Sequence, residues 1–250
     1  MLSGPAAILL GEKWRLAWAS FAVFGLLSTL WCVAILPRLP ARDEPLSFAG
    51  VSLRTLTEGA RARLFLVSFL IGIATSIYWA FSVDLVTAGA NGTYELLGFK
   101  VAAARFGQLF WTVVGLAGFA GMAAGAVVER VGLMPAMRLF LIGIASSTAM
   151  IALSQSAGVV LTSGLVFGAF FVFMAATLGM WSLELFQDLP AVGFGLAFLL
   201  LSAGQFMGPI LVGLLIGHLE LGELFIASAM FCAALITVLP QRKAAAHVAG

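Results

Sequence analysis

The few side chains of this sequence that can do chemistry stand inside or beside long apolar segments. An acid in such a place can take up and release a proton, an amide can hydrogen-bond a solute, and an aromatic ring can stack on one. Polar groups at membrane depth are costly without a partner and are functional candidates for that reason. The candidates for a substrate or proton pathway are Tyr78, Asp84, Gln108, Trp111 and Gln205.

Each candidate also has a structural alternative. Asp84 can end a helix in headgroup water, and Tyr78 can pack between helices. Tyr78 and its neighbour Trp79 are turned by about 100° from one another on a helix, so both cannot face one cavity squarely. Gln108 and Trp111 are three residues apart and would share one face. Gln205 lies deep in an apolar segment and must find a partner there.

No pattern typical of an enzyme is present. The two histidines, His218 and His247, stand apart from one another, and the two cysteines, Cys32 and Cys232, fall in apolar runs without metal-ligand spacing. No glycine-rich phosphate loop ends in a lysine, so transport driven by ATP is not expected. We predict no catalytic residue, no metal site and no cofactor, and a gradient as the driving force of any transport.

The composition indicates a lipid solvent. Of 250 residues 62% are hydrophobic and 10% are charged, with a mean hydropathy of +1.11. A soluble domain carries about 25% charged residues. The net charge of +2 is too small to indicate nucleic acid. The predicted partner of the surface is therefore the lipid bilayer.

The apolar segments predict an all-α polytopic membrane bundle of about seven helices. A transmembrane helix needs about 20 mostly apolar residues. The predicted spans are 16–37, 64–83, 106–128, two within 139–183 separated by a turn at 154–158, 189–217 and 224–239. Continuous rather than alternating hydrophobicity argues against barrel strands.

The cations predict the orientation. Nine of them would share one face, which the positive-inside rule makes cytoplasmic: Arg38, Arg42, Arg54, Arg61, Arg63, Arg130, Arg138, Arg242 and Lys243. The other face receives Lys13, Arg15, Lys100 and Arg105. The N-terminus would be outside and the C-terminus inside, in a multi-pass protein of a bacterial inner membrane. Residues 38–60 are predicted as a cytoplasmic linker, 61–240 as a six-helix block and 241–250 as a cytoplasmic tail.

An internal similarity divides the chain further. Pro5 and Pro37 are 32 residues apart, and Pro209 and Pro240 are 31 apart, with a short charged turn and an apolar span inside each pair. Coincidence between two apolar hairpins is one interpretation, and internal duplication is the other. Under duplication, residues 1–37 end one repeat with one transmembrane helix, and 61–240 form a complete second copy.

Two motifs carry a family resemblance. The first runs from Gly125 to Gly132 and places Glu129 and Arg130 before a glycine, although Leu133-Met134 replaces the usual basic pair and Arg138 is the nearest cation. The second is a glycine-proline helix containing Gly204, Gly208, Pro209 and Gly213. The chain resembles the major facilitator superfamily, in its helices six to twelve plus the end of helix five. The resemblance implies that Gly125, Glu129, Arg130, Gly132 and Arg138 form a gate or conformational switch, and that the second motif packs helices.

The expected function is secondary active transport of a small organic solute by alternating access, in a protein truncated at its N-terminus. Because such transport needs two halves that rock around a site, a missing N-terminal half or a second copy is an expected partner. A seven-helix receptor is the alternative class, although 224–239 lacks the lysine that a retinal protein needs. A non-transporting remnant of a transporter is the third interpretation.

Overall fold

The computed structural model describes residues 14–35, 58–89, 92–154 and 156–240. Its helices are α1 Trp14–Ile35, α2 Gly59–Gly89, α3 Ala103–Ala117, α4 Ala124–Val131, α5 Leu133–Leu153, α6 Ala157–Leu185, α7 Pro190–Leu215 and α8 Leu221–Ala234. Two 3₁₀ segments, Gly118–Ala123 and Leu235–Thr237, follow α3 and α8, and a hairpin of β1 Thr93–Leu96 and β2 Phe99–Ala102 precedes α3.

The predicted all-α membrane bundle is confirmed. Within the described residues six helices are long and apolar enough to cross a membrane, the third of them being α3 and α4 with the 3₁₀ segment between them. The seventh predicted span is the shorter apolar helix Leu221–Thr237. Most of the predicted linker, the tail 241–250, and the N-terminal part of the internal similarity lie outside the described residues.

Polar and apolar side chains are distributed as lipid requires. Large apolar side chains such as Leu199, Phe206 and Leu214 are exposed, and no residue in the transmembrane part of α1 is buried. Small hydroxyl side chains are buried instead, and many donate to a carbonyl of the preceding helical turn, as Ser68 does to Leu64 and Thr75 to Ile71. Such bonds satisfy a hydroxyl where water is absent.

Helices α2 and α7 make a close backbone contact. Gly72 and Ser76 on α2 face Gly204 and Gly208 on α7, so that small residues spaced by four meet on both helices. A methyl group on Gly72 would lie 2.9 Å from the Gly204 Cα atom, and one on Gly208 would lie 2.6 Å from the Ser76 Cβ atom. The two backbones therefore touch without intervening side chains.

The third span is interrupted by its 3₁₀ segment at a similar close contact. A methyl group on Gly168 of α6 would lie 2.9 Å from the Val114 carbonyl carbon, and one on Gly121 would overlap Val172. Mid-helix 3₁₀ stretches often mark hinges or strained segments. Here the segment separates α3, which begins at the hairpin, from the short helix α4.

The hairpin between α2 and α3 was not predicted. Its strands pair antiparallel from Thr93 opposite Ala102 to Leu96 opposite Phe99, and the turn has Leu97 at φ 50° and Gly98 at φ 82°. Two positive φ values are typical of the type I′ turn, which suits a two-residue hairpin. The hairpin is held against the bundle by Tyr94.

Tyr94 fixes the hairpin to the ends of α2 and α3. Its hydroxyl donates to the Val86 carbonyl oxygen at 2.7 Å, and its ring stacks on Phe106 with the ring centroids 3.9 Å apart. The side chain is buried, and this burial raises the pKa of the Tyr94 phenol. The hairpin is thus a packed element at the end of the bundle opposite the α4–α5 turn.

Candidate functional site

A cavity of about 270 Å³ lies between α2, α3, α6 and the 3₁₀ segment. Its wall combines aromatic rings with positions that have no side chain. The lining residues are Trp79, Trp111, Val114, Gly115, Gly118, Gly168, Phe171 and Val172. Clefts between the helices of a bundle are common places for small-molecule sites.

Two indole rings dominate this wall. Trp79 and Trp111 stack with their ring centroids 5.2 Å apart and their planes 22° from parallel, and Phe171 meets Trp79 edge-on at 5.1 Å. Trp79 lines the cavity and remains 42% exposed. Of the five candidates for a substrate or proton pathway, only Trp111 lines this cavity.

Tyr78 points into the core of the bundle instead. Its ring stacks on Phe167 with the centroids 3.7 Å apart. Its hydroxyl lies 2.7 Å from the Ser163 hydroxyl, which donates in turn to the Ser147 carbonyl oxygen at 2.7 Å. Tyr78 is therefore the donor, and the chain of bonds joins α2, α6 and α5. The 100° between adjacent helical residues separates this packing residue from the cavity residue Trp79.

The three polar candidates are dispersed. Asp84 is exposed on α2 near its hairpin end, and Gln108 and Gln205 are half-buried on α3 and α7. Within the described part of the chain neither glutamine side chain makes a hydrogen bond. Gln205 follows the glycine contact between α2 and α7 directly, and Gln108 lies one helical turn from Trp111. The structure does not gather these groups into one site.

The motif at 125–132 forms the sharp turn between α4 and α5. Gly132 has φ 88°, a conformation that favours glycine. Gly125, Glu129 and Arg130 are exposed. Neither charged side chain of the pair has a hydrogen bond or ion pair with the described residues.

Arg138 has a different role from the exposed pair. It is half-buried on α5, and its Nη2 atom donates to the Pro240 carbonyl oxygen at 2.7 Å. A cation at the carbonyl end of a helix is favourable, because the last carbonyl groups carry partial negative charge. Arg138 therefore holds the end of the last span against α5.

A second arginine at the same end was not singled out from the sequence. Arg61, near the start of α2, donates from Nε to the Leu185 carbonyl oxygen at 3.3 Å, and its guanidinium carbon lies 4.8 Å from the Phe186 ring centroid. Phe186 is buried, and a methyl group on Gly193 would overlap it. The signal available in the sequence was a cation at a helix start, which alone does not identify the carbonyl it reaches.

The glycines of the glycine-proline motif have different surroundings along α7. Gly204 and Gly208 lie in the contact with α2, and Pro209 lies within the helix, which continues to Leu215. Gly213 is different, since nothing lies within 4 Å of the position that its Cβ atom would take. Gly213 therefore does not take part in the close packing.

Comparison with known proteins adds one finding. The chain is similar over residues 1–242 to a family described as "Uncharacterised MFS-type transporter YbfB". No curated protein and no solved structure matches the chain. Among the described residues no group of three or more His, Cys, Asp or Glu side chains is placed to hold a metal ion.

Proposed function

The chain belongs to the family of MFS-type transporters that matches it over residues 1–242, and from this premise we propose that it moves a small organic solute across the membrane by alternating access. Membership of this family confirms the resemblance to the major facilitator superfamily and makes the protein a multi-pass membrane transporter. The observation that carries the solute proposal is the aromatic cavity enclosed by α2, α3 and α6.

In this proposal residues 61–240 act as one of the two halves that rock around the solute site. Alternating access moves such halves largely as rigid bodies. The glycine contact of α2 with α7 and the arginine bonds to Leu185 and Pro240 support a block that keeps its shape as it moves. The α4–α5 turn would face the cytoplasm of a bacterial cell, since Arg61, Arg63, Arg130 and Arg138 all lie at that end.

A flux experiment tests the proposal. The purified protein is reconstituted into liposomes with an imposed pH gradient, and uptake is measured for a panel of labelled small organic solutes that includes neutral, cationic and anionic members. Gradient-dependent uptake of at least one solute, absent from protein-free liposomes, is expected. Uptake of none of them in either orientation of the gradient would contradict the transport proposal.

Asp84 is the acid through which we propose proton coupling. It is exposed on α2 near the hairpin end, where a proton can reach it. Asp84→Asn is expected to abolish uptake driven by the pH gradient while expression and thermal stability stay unchanged. The matched control is Glu95→Gln, which removes an exposed acid on the neighbouring hairpin. Normal gradient-driven uptake by Asp84→Asn would remove this residue from the mechanism.

The turn at 125–132 is proposed as the conformational switch. Glu129→Gln is expected to change the rate at which a cysteine at the exposed Ala126 reacts with a membrane-impermeant maleimide, because the turn would move between the two states. The control is Glu184→Gln, which removes another exposed acid at the same end of the bundle. Equal labelling and equal transport rates in both variants would leave Glu129 as an ordinary helix end.

A further inference from the structure

The lining of the cavity points to a specific class of solute. We propose that the cavity lined by the stacked indoles of Trp79 and Trp111 binds flat, uncharged aromatic solutes and that these are the substrate class of the transporter. The proposal rests on the transport function proposed above and extends it from small organic solutes in general to one chemistry. Three properties of the wall carry it: its aromatic rings, its missing side chains and its lack of charge.

The aromatic rings supply a stacking surface. The two indoles lie 22° from parallel, and Phe171 turns its edge to Trp79 with the planes 74° apart. Aromatic rings prefer offset-stacked and edge-to-face neighbours because of their quadrupoles. A planar aromatic ring meets both preferences here, stacking on an indole while it contacts the side of Phe171. A saturated ring of equal size has no π face and is thicker.

The missing side chains give the cavity a flat backbone wall. Gly115 and Gly118 line it, so a ring can approach the backbone of α3 and of the 3₁₀ segment where any larger residue would stand in the way. Gly168 contributes differently, because its missing side chain allows α6 to contact the backbone of α3 at Val114. The volume of about 270 Å³ would hold about nine waters at liquid density, which suits a two-ring solute. Thin shape and limited size both favour a fused bicyclic ring.

The lack of charge argues against ions. None of the eight described lining residues is an Asp, Glu, Lys or Arg. An ion in an apolar site at membrane depth loses its hydration and finds no countercharge there. A tryptophan face does attract cations, but this attraction replaces only part of the hydration that a cation loses in an apolar site at membrane depth. The wall therefore favours a neutral solute over a cation of the same shape.

Three bicyclic probes of similar size separate these properties. 2-Naphthol is flat, aromatic and neutral, N-methylquinolinium is flat and cationic, and decahydro-2-naphthol is neutral but saturated. Binding is measured by calorimetry on the protein in nanodiscs, with protein-free nanodiscs subtracted to remove partition into lipid. 2-Naphthol is expected to bind, and each of the other two to bind at least about tenfold more weakly.

Variants locate the binding. Trp111→Leu and Trp79→Leu are each expected to weaken the binding of 2-naphthol about tenfold. Trp31→Leu, on the exposed helix α1, is expected to leave this affinity unchanged. Trp111→Phe keeps an aromatic face and is expected to recover part of the affinity, which guards against a leucine variant that does not fold. Equal binding of the saturated probe, or binding indifferent to both leucine variants, would overturn the proposal and indicate a groove that any apolar chain fills.

Failure of the aromatic-solute proposal and failure of the transport proposal give different results. Binding of 2-naphthol with the expected selectivity but without flux of any solute would refute transport and leave the aromatic site in place. Flux of other solutes together with no 2-naphthol binding would refute the substrate class alone. Flux of 2-naphthol that Trp111→Leu reduces about tenfold, in step with binding, supports both proposals together.

Discussion

Replacing Gly204 by alanine is expected to push α2 and α7 apart. The added methyl group would lie 2.9 Å from the Ile73 backbone nitrogen and 3.0 Å from the Gly72 Cα atom, and it would overlap the Phe69 carbonyl oxygen. Ordinary contacts of a Cβ atom lie between 3.4 and 4 Å. Because all three neighbours are backbone atoms, no change of side-chain rotamer relieves the overlap, and one helix must move.

The size of the effect follows from two opposing terms. Overpacking of a tight contact costs about 1–3 kcal/mol, whereas alanine is favoured over glycine within a helix by about 1 kcal/mol. The net loss of stability for Gly204→Ala is then up to about 2 kcal/mol. In a protein of this length a loss of about 2 kcal/mol corresponds to a fall in Tm of about 4–8 °C. The movement of α7 relative to α2 also disturbs the neighbouring contact of Gly208 with Ser76, which adds to the loss of stability.

Gly213→Ala is the matched control because it makes the same substitution in the same helix. Nothing lies within 4 Å of the added methyl group, so only the helix preference of alanine remains and Tm should stay equal or rise slightly. Both variants are melted in the same detergent, with intrinsic tryptophan fluorescence as the signal. Equal melting temperatures for the two variants would refute the close backbone contact of α2 with α7.

Three further changes have expected outcomes that the same melting assay checks. Arg61→Gln removes a charged hydrogen bond to the Leu185 carbonyl and a contact with a ring, and it is expected to cost about 1–2 kcal/mol. Tyr78→Phe keeps the stacked ring but removes the hydrogen bond to Ser163, at a cost of about 1 kcal/mol. Leu97→Asn places a residue that tolerates positive φ in the hairpin turn and is expected to raise the free energy of unfolding by about 1 kcal/mol.

Each of these changes has a control. Arg130→Gln removes an exposed cation at the same end of the bundle as Arg61 and should leave Tm unchanged. Phe99→Asn alters another exposed hairpin residue outside the turn and should bring no gain. For Tyr78, Ser163→Ala removes the acceptor of the bond, and the double variant should lose less than the two single losses added together.

The helices were largely predictable, because lipid imposes a length and an apolar composition on every span. The predicted turn at 154–158 lies where α5 ends and α6 begins, and 189–217 closely brackets α7. The ends were less predictable. Helix α2 extends from Gly59 through two arginines and past Asp84 to Gly89, since charges at membrane surfaces neither start nor stop a helix.

The site was less predictable, because it depends on which helix faces which. Sequence spacing placed Tyr78 and Trp79 on different faces but did not decide which one meets the cavity. The hairpin was missed although Tyr94, Leu96, Phe99 and Val101 alternate with other residues on either side of Gly98, because its two strands have only four residues each and are much shorter than the apolar spans. The glycines of the cavity wall have no side chain to attract attention, and their role follows only from the approach of α6.

The 3₁₀ segment of the third span changes the angular relation between the cavity and the α4–α5 turn. Glu129 follows Trp111 by 18 residues, which is about five turns of a continuous α-helix and would point both side chains in one direction. Six of those residues, Gly118–Ala123, are wound as 3₁₀. At about 120° rather than 100° per residue, they add about a third of a turn and lengthen the span by about 3 Å. A helical wheel drawn from the sequence therefore assigns Glu129 to the azimuth of Trp111, whereas the folded chain rotates it away.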